Sequence, residues 1–260
     1  MRGLAIASIT AVFAPAAHAG AWLQPEGHGL LINTLEATEA SQAFNLSGQR
    51  VDGPDFRKSE LRFYGELGVS DKLTLIGKTS WQVIEISTDA FSTSYVGPGD
   101  IQIGARVPLL SRGRHRISAE ASTGYRFGGE FVAGADLVYA APTVEARALY
   151  GYGWDRAYVD AQVGYRSRLG NGPDTWLLDA GTGFDIGPFS LLAGASFRTT
   201  PDGTLPDSTI LLETESLKTR VGASWKIKEG IRFELARLDT LSGLAHVAET
   251  GYSFAVWQTF

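Results

Sequence analysis

Cysteine is absent from the 260 residues, and methionine occurs only at the first position. A chain without cysteine has neither a disulfide nor the lipid-bearing residue of a lipoprotein, so an exported form must be held by sheet closure alone. Histidine is scarce as well: the 4 copies do not cluster, which removes both zinc-ligand spacing and a nucleophile with a base at hand. Past the first twenty residues no segment offers the roughly 18 unbroken apolar residues that a membrane-spanning helix requires. Acidic groups outnumber basic ones, for a formal net charge of -5, which excludes nucleic-acid binding through bulk charge.

Both ends of the chain carry an address. Residues 1–19 read as a secretory signal peptide: Arg2 supplies the positive start, residues 4–14 the apolar stretch, and Ala17, His18 and Ala19 the small-x-small cleavage site. A transmembrane anchor would need a longer apolar run, and Pro15 and a cleavage site follow this one. The mature chain is expected to start at Gly20. At the other end Tyr252, Phe254, Val256 and the terminal Phe260 fall on one face of a strand, with Gln258 as the exception. A terminal aromatic of this kind resembles the signal read by bacterial barrel-assembly machinery, and both addresses together point to the outer membrane of a Gram-negative cell.

The body of the chain, residues 20–260, reads as one all-β unit. Gly at 31 copies and aromatics at 11% are high together, and a mean hydropathy of -0.03 suits a barrel in which only alternate residues face lipid. Segments of ten to fourteen residues with period-two alternation recur from Gly29 onward. In residues 116–127, Ile117, Ala119, Ala121, Thr123, Tyr125 and Phe127 would face lipid, while Arg116, Ser118, Glu120, Ser122, Gly124 and Arg126 would face inward. In 59–68, Leu61, Phe63 and Leu67 point out and Glu60, Arg62, Tyr64 and Glu66 point in.

Short links at 69–72, 111–114, 154–156, 186–188 and 228–230 alternate with longer or more polar ones at 41–57, 88–99, 128–142, 169–174, 200–211 and 240–250. The short set reads as periplasmic and the long set as extracellular. The pattern predicts an antiparallel up-and-down transmembrane β-barrel of about 12 strands. Ten or fourteen stay open, because 131–139 could extend a strand and the first strand could begin at Trp22. Asn171-Gly172 and Pro201-Asp202-Gly203 are turn formers. A soluble β-sandwich also alternates, but aromatics near strand ends (Trp22, Trp81, Trp154, Trp176, Trp225, Tyr150, Tyr152) and the terminal Phe260 favour the barrel.

Two stretches, YGELGVSDKLTL at 64–75 and VGPGDIQIGARVPLL at 96–110, resemble patterns of a proteobacterial outer-membrane family labelled for the MetA pathway of phenol degradation, whose relatives include XagA-like proteins. The segment GAWLQPEGHG at 20–29 is similar to the latter. The resemblance covers most of the first half of the chain, and its motifs are structural. It implies a barrel of uptake or export with no defined substrate.

Assigning the polar face of each strand to the lumen puts Arg62, Lys78, Arg106, Arg116, Arg126, Arg147, Arg166, Arg198, Lys218, Arg220 and Arg232 inside. Glu60, Glu66, Asp100, Glu120, Glu145, Asp160, Asp179 and Glu234 join them. Two readings follow. In one, arginine forks line a narrow channel for a small hydrophilic or anionic solute. In the other, the charges pair across strands and fill the bore as a polar core. A different class of function would work through the outer loops, as a surface, biofilm or polysaccharide-linked barrel.

No catalytic residue and no cofactor is expected. His18 leaves with the signal peptide, His28, His115 and His246 sit near strand ends and turns, and Ser242 near His246 is a weak pairing. Gly181-Thr182-Gly183 lies within a strand, which removes a nucleotide-loop reading. Asn45 heads an Asn-Leu-Ser triplet that a bacterial chain would rarely glycosylate. The expected partners are outer-membrane lipid, the assembly machinery through the C-terminal strand, and a small solute or polysaccharide.

Overall fold

A computed structural model describes residues 20–90, 92–127, 140–169, 174–200 and 214–260. Twelve long strands form the wall: β1 (Gly29–Phe44), β2 (Arg50–Ser70), β3 (Leu73–Ser87), β4 (Ser92–Arg112), β5 (His115–Arg126), β6 (Ala141–Gly153), β7 (Ala157–Arg168), β8 (Thr175–Ile186), β9 (Phe189–Thr200), β10 (Thr214–Lys228), β11 (Ile231–Leu244) and β13 (Thr250–Thr259). Between the last two lies β12 (His246–Val247), a two-residue strap paired with the outer end of β1. Each of the twelve wall strands pairs antiparallel with the next, β11 with β13 past the strap, and β1 also pairs with β13, Leu30 opposite Thr259 through Glu39 opposite Thr250, so the sheet is a closed barrel. Closure leaves no unpaired edge, a requirement for any sheet in hydrocarbon.

The alternation explains which side chain goes where. On β2 Leu61, Phe63 and Leu67 are exposed while Glu60 and Glu66 are buried, and β5 follows the expected parity from Ser118 to Arg126. The exposed faces of all strands form an apolar belt with two rings of aromatics. Tyr150, Trp154, Phe184, Phe189, Trp225 and Phe260 stand near the end that holds both strand termini, and Trp81, Tyr125, Tyr165, Trp176 and Tyr252 stand near the other. Such girdles mark the two interfaces of a bilayer. Four two-residue turns and one of three residues, 154–156, close the first end, with Gly113 and Gly230 at φ 57° and 74°, a region that other residues avoid.

Three expectations are corrected. The polar links expected at 41–57 and 88–99 are mostly strand: β1 and β2 continue to a turn at 45–49, and β4 starts at Ser92. With 21 residues each, β2 and β4 are about twice as long as a tilted strand needs to cross a bilayer. At 240–250, β11 runs to Leu244 and the strap takes part of the rest. The strand start at Trp22 is also overturned, because β1 begins at Gly29 and residues 20–28 take a different course. The segment 131–139, Asn171-Gly172, and the Pro201, Asp202 and Gly203 turn lie outside the described residues. Asn45 is engaged locally, its Oδ1 accepting from the backbone N–H groups of Ser47 (2.9 Å) and Gln49 (3.0 Å).

Candidate functional site

Residues 20–28 turn into the bore. Gly27, at φ 75°, donates its N–H to the Gly68 carbonyl (2.9 Å), and His28 donates to Pro25 (3.0 Å), which folds the chain over the inner rim. Position 68 must lack a side chain, since a Cβ there would stand 2.0 Å from the Pro25 oxygen. From this hinge the segment crosses the lumen. Gln24 donates its backbone N–H to Thr74 Oγ1 (2.9 Å) and its amide to Glu66 (2.5 Å). The Trp22 carbonyl accepts from Arg106 (2.9 Å), and the Ala21 carbonyl accepts from Ser118 Oγ (2.5 Å). The Trp22 indole meets the Tyr158 ring edge-on at 6.2 Å and lies over Gly151. Trp22 is therefore a lumen residue tied to β4 and β7, and the expectation that it belongs to an interfacial ring is overturned.

Above this brace the inward charges gather into three groups. In the first, Arg106 is 1% exposed and holds Glu66 and Glu120, each at 2.9 Å, while its Nη2 also donates to Tyr64 Oη. Lys78 reaches Glu120 at 3.3 Å, and Tyr64 donates to Glu66. Two cations face two carboxylates there, so the group is formally neutral.

The second group spans β6 to β9. Arg147 contacts Glu145 and Asp179 (2.8 Å to the latter), Arg166 contacts Glu145 (2.6 Å), and Arg198 contacts Asp179 (2.7 Å). Glu145 is almost fully buried, whereas the Arg198 side chain keeps 34% of its surface open. Three guanidiniums share two carboxylates, so this group carries one net positive charge.

In the third group Arg220 pairs with Glu234 (2.5 Å), and Arg232 donates to Ser190 (2.5 Å) and Ser224 (2.9 Å), with Asp185 at 4.0 Å. Nearer the outer mouth Arg62 pairs with Glu36, Lys58 with Glu60 (2.6 Å), and Lys218 with Glu249 (2.5 Å), whose other oxygen accepts from Thr38. Asp100 accepts from Ser80 (3.1 Å).

The expected lumen residues thus fall on the inward faces, with one departure. Arg116 spends its guanidinium on the carbonyls of Gly113 and His115 at the inner turn. Arg126 keeps the inward parity of β5, half-buried. Asp160 is buried but joins none of the ion pairs. Sequence reasoning missed the crossing segment and the partners Glu36, Lys58 and Glu249. The signal for the segment was present: Pro25 and Gly27 sit in a stretch that lacks alternation and directly precedes the first alternating one.

No protein-family profile matches the chain, and no curated protein matches it. Solved structures do. An outer-membrane channel from Pseudomonas putida F1 is 15% identical, with 91% of this chain and 97% of that one covered at a TM-score of 0.74. The translocator domain of the autotransporter NalP from Neisseria meningitidis is 13% identical over 91% and 90%, at 0.55. The NanC porin is 8% identical over 87% and 98%, at 0.51. At these identities the likeness is one of fold. These names carry neither the phenol-degradation nor the XagA label, so the agreement reaches as far as the outer-membrane barrel class.

Proposed function

We propose that this protein is an outer-membrane channel for small anionic or hydrophilic solutes, narrowed at its periplasmic end by its own N-terminal segment. The observation that carries the reading is the group of Arg147, Arg166 and Arg198 on only two carboxylates. Its most exposed guanidinium, that of Arg198, is one third open, so it has hydrogen-bond donors left for a passing carboxylate or phosphate. The likeness to structures that bear the names channel and porin supports this function and the outer-membrane location.

Planar-bilayer recording tests it. Folded protein should conduct, with a reversal potential in a salt gradient that marks anion preference, and Arg166→Ala with Arg198→Ala should move that potential toward cations. Folded protein that stays silent even after removal of residues 20–27 would overturn the channel reading. The tall hairpin of β1 and β2 keeps a second reading, surface work by the outer end, in view. Trimming the turn at 45–49 separates the two, because permeation should survive it.

A further inference from the structure

Among the described residues Asp160 is a buried carboxylate in search of a cation. It is 7% exposed, its Oδ2 is buried without a hydrogen-bond partner, and no lysine or arginine pairs with it. An ionised group in such a place is strongly unfavourable unless something neutralises it. The residues opposite it on both neighbouring strands are glycines, Gly151 on β6 and Gly181 on β8. A Cβ at position 181 would stand 2.8 Å from Asp160 Oδ2, so the carboxylate fills a slot that has no room for another side chain.

The main chain of Gly20 lies beside this slot. Gly20 is buried, and a Cβ on it would lie 3.5 Å from the Cβ of Asp160 and 2.8 Å from the Trp22 ring. By standard geometry its nitrogen is roughly 2.5 Å from that Cβ position, and so no more than about 6 Å from the Cβ of Asp160. We propose that hydrolysis of the Ala19–Gly20 bond creates the counter-ion of Asp160, and that the resulting ion pair anchors residues 20–24 across the lumen. Water adds across the peptide bond, Ala19 leaves as a carboxylate, and Gly20 takes up a proton to become an α-ammonium. Removal of the leader then also supplies the charge that locks the brace. In the precursor the same nitrogen is a neutral amide, which brings Asp160 no charge. The α-ammonium also cancels Asp160, which preserves the net positive charge of the neighbouring arginine group.

Amine labelling of the protein purified from outer membranes tests this independently of conductance. Intact mass should place the first residue at Gly20. At neutral pH an acetylating ester selects α-amines over lysines, whose pKa is about 10.4 against about 8. Mass spectrometry of the N-terminal peptide should find the wild type and Asp160→Glu protected. Asp160→Asn, still heat-modifiable, should label at least tenfold faster. If Asp160→Asn does not assemble, Gly151→Ala offers a second route, because its methyl would stand 2.7 Å from the Trp22 ring and unseat it, exposing the same amine. A wild-type amine as reactive as that of the variants, a mature start other than Gly20, or an Asp160→Glu protein as reactive as Asp160→Asn would each overturn the proposal.

Discussion

Replacing Arg106 by methionine keeps most of the side-chain volume and removes one charge from the bore. In the wild type the guanidinium meets Glu66 and Glu120 and also donates to the Trp22 carbonyl and Tyr64. With it gone, Glu66 at 4% exposure loses its only ion-pair partner among the described residues, while Glu120 keeps Lys78 at 3.3 Å. Breaking a buried pair from one side costs about 3–5 kcal/mol. The surviving lysine places this case at the low end, about 3 kcal/mol.

Guanidinium unfolding of the barrel in lipid vesicles, followed by tryptophan fluorescence, reads the loss. The triple variant Arg106→Met, Glu66→Gln, Glu120→Gln should regain at least half of it, since no uncompensated carboxylate stays buried. The group also turns from neutral to one net negative charge, so the single variant should lower anion preference in bilayers. A single variant within about 1 kcal/mol of the wild type, or a triple variant less stable than the single, would refute the argument.

Deleting residues 20–27 removes the hydrogen bonds that the crossing segment makes to Thr74, Glu66, Arg106 and Ser118, and should raise single-channel conductance several-fold without loss of heat-modifiability. Deleting Phe260 removes the paired backbone bonds between Phe260 and Gly29 at the closing seam (2.8 and 3.1 Å); the barrel fraction in outer membranes should fall, measured by heat-modifiability, with leader removal unchanged. Glu145→Gln leaves Arg147 on Asp179 but strips Arg166 of its partner, so anion preference should rise in reversal-potential measurements while unfolding requires about 3 kcal/mol less.

The wall was legible because lipid imposes a period of two: Leu61, Phe63 and Leu67 against Glu60, Arg62 and Glu66 admit one assignment of faces. The strand ends beyond the bilayer were not. Near 41–57 the pattern inverts: Phe44 and Phe56 are buried, Phe56 against Ile84 and Ile86, while Asp55 and Arg57 are exposed, so the backbone ladder continues without the lipid-facing alternation and a strand there reads as a loop. Pairing partners were hidden for a different reason. Glu249 meets Lys218 and Thr38 through the strap and the closed seam, across separations of 31 and 211 residues that no local pattern encodes. The segment at 20–28 has neither period, and only its Pro25 and Gly27 hinted at a bend.

The two aromatic rings set a hydrophobic thickness. On β8 the span from Trp176 to Phe184, both about half exposed, is eight steps of strand. At about 3.4 Å per residue and a tilt near 40° this is roughly 20 Å along the membrane normal. A bilayer much thicker than that must thin around the barrel or force it to tilt, at a cost that grows with each ångström of mismatch. Short-chain lipids should therefore accept the protein most readily, and the thin outer membrane of bacteria offers a closer match than the inner one.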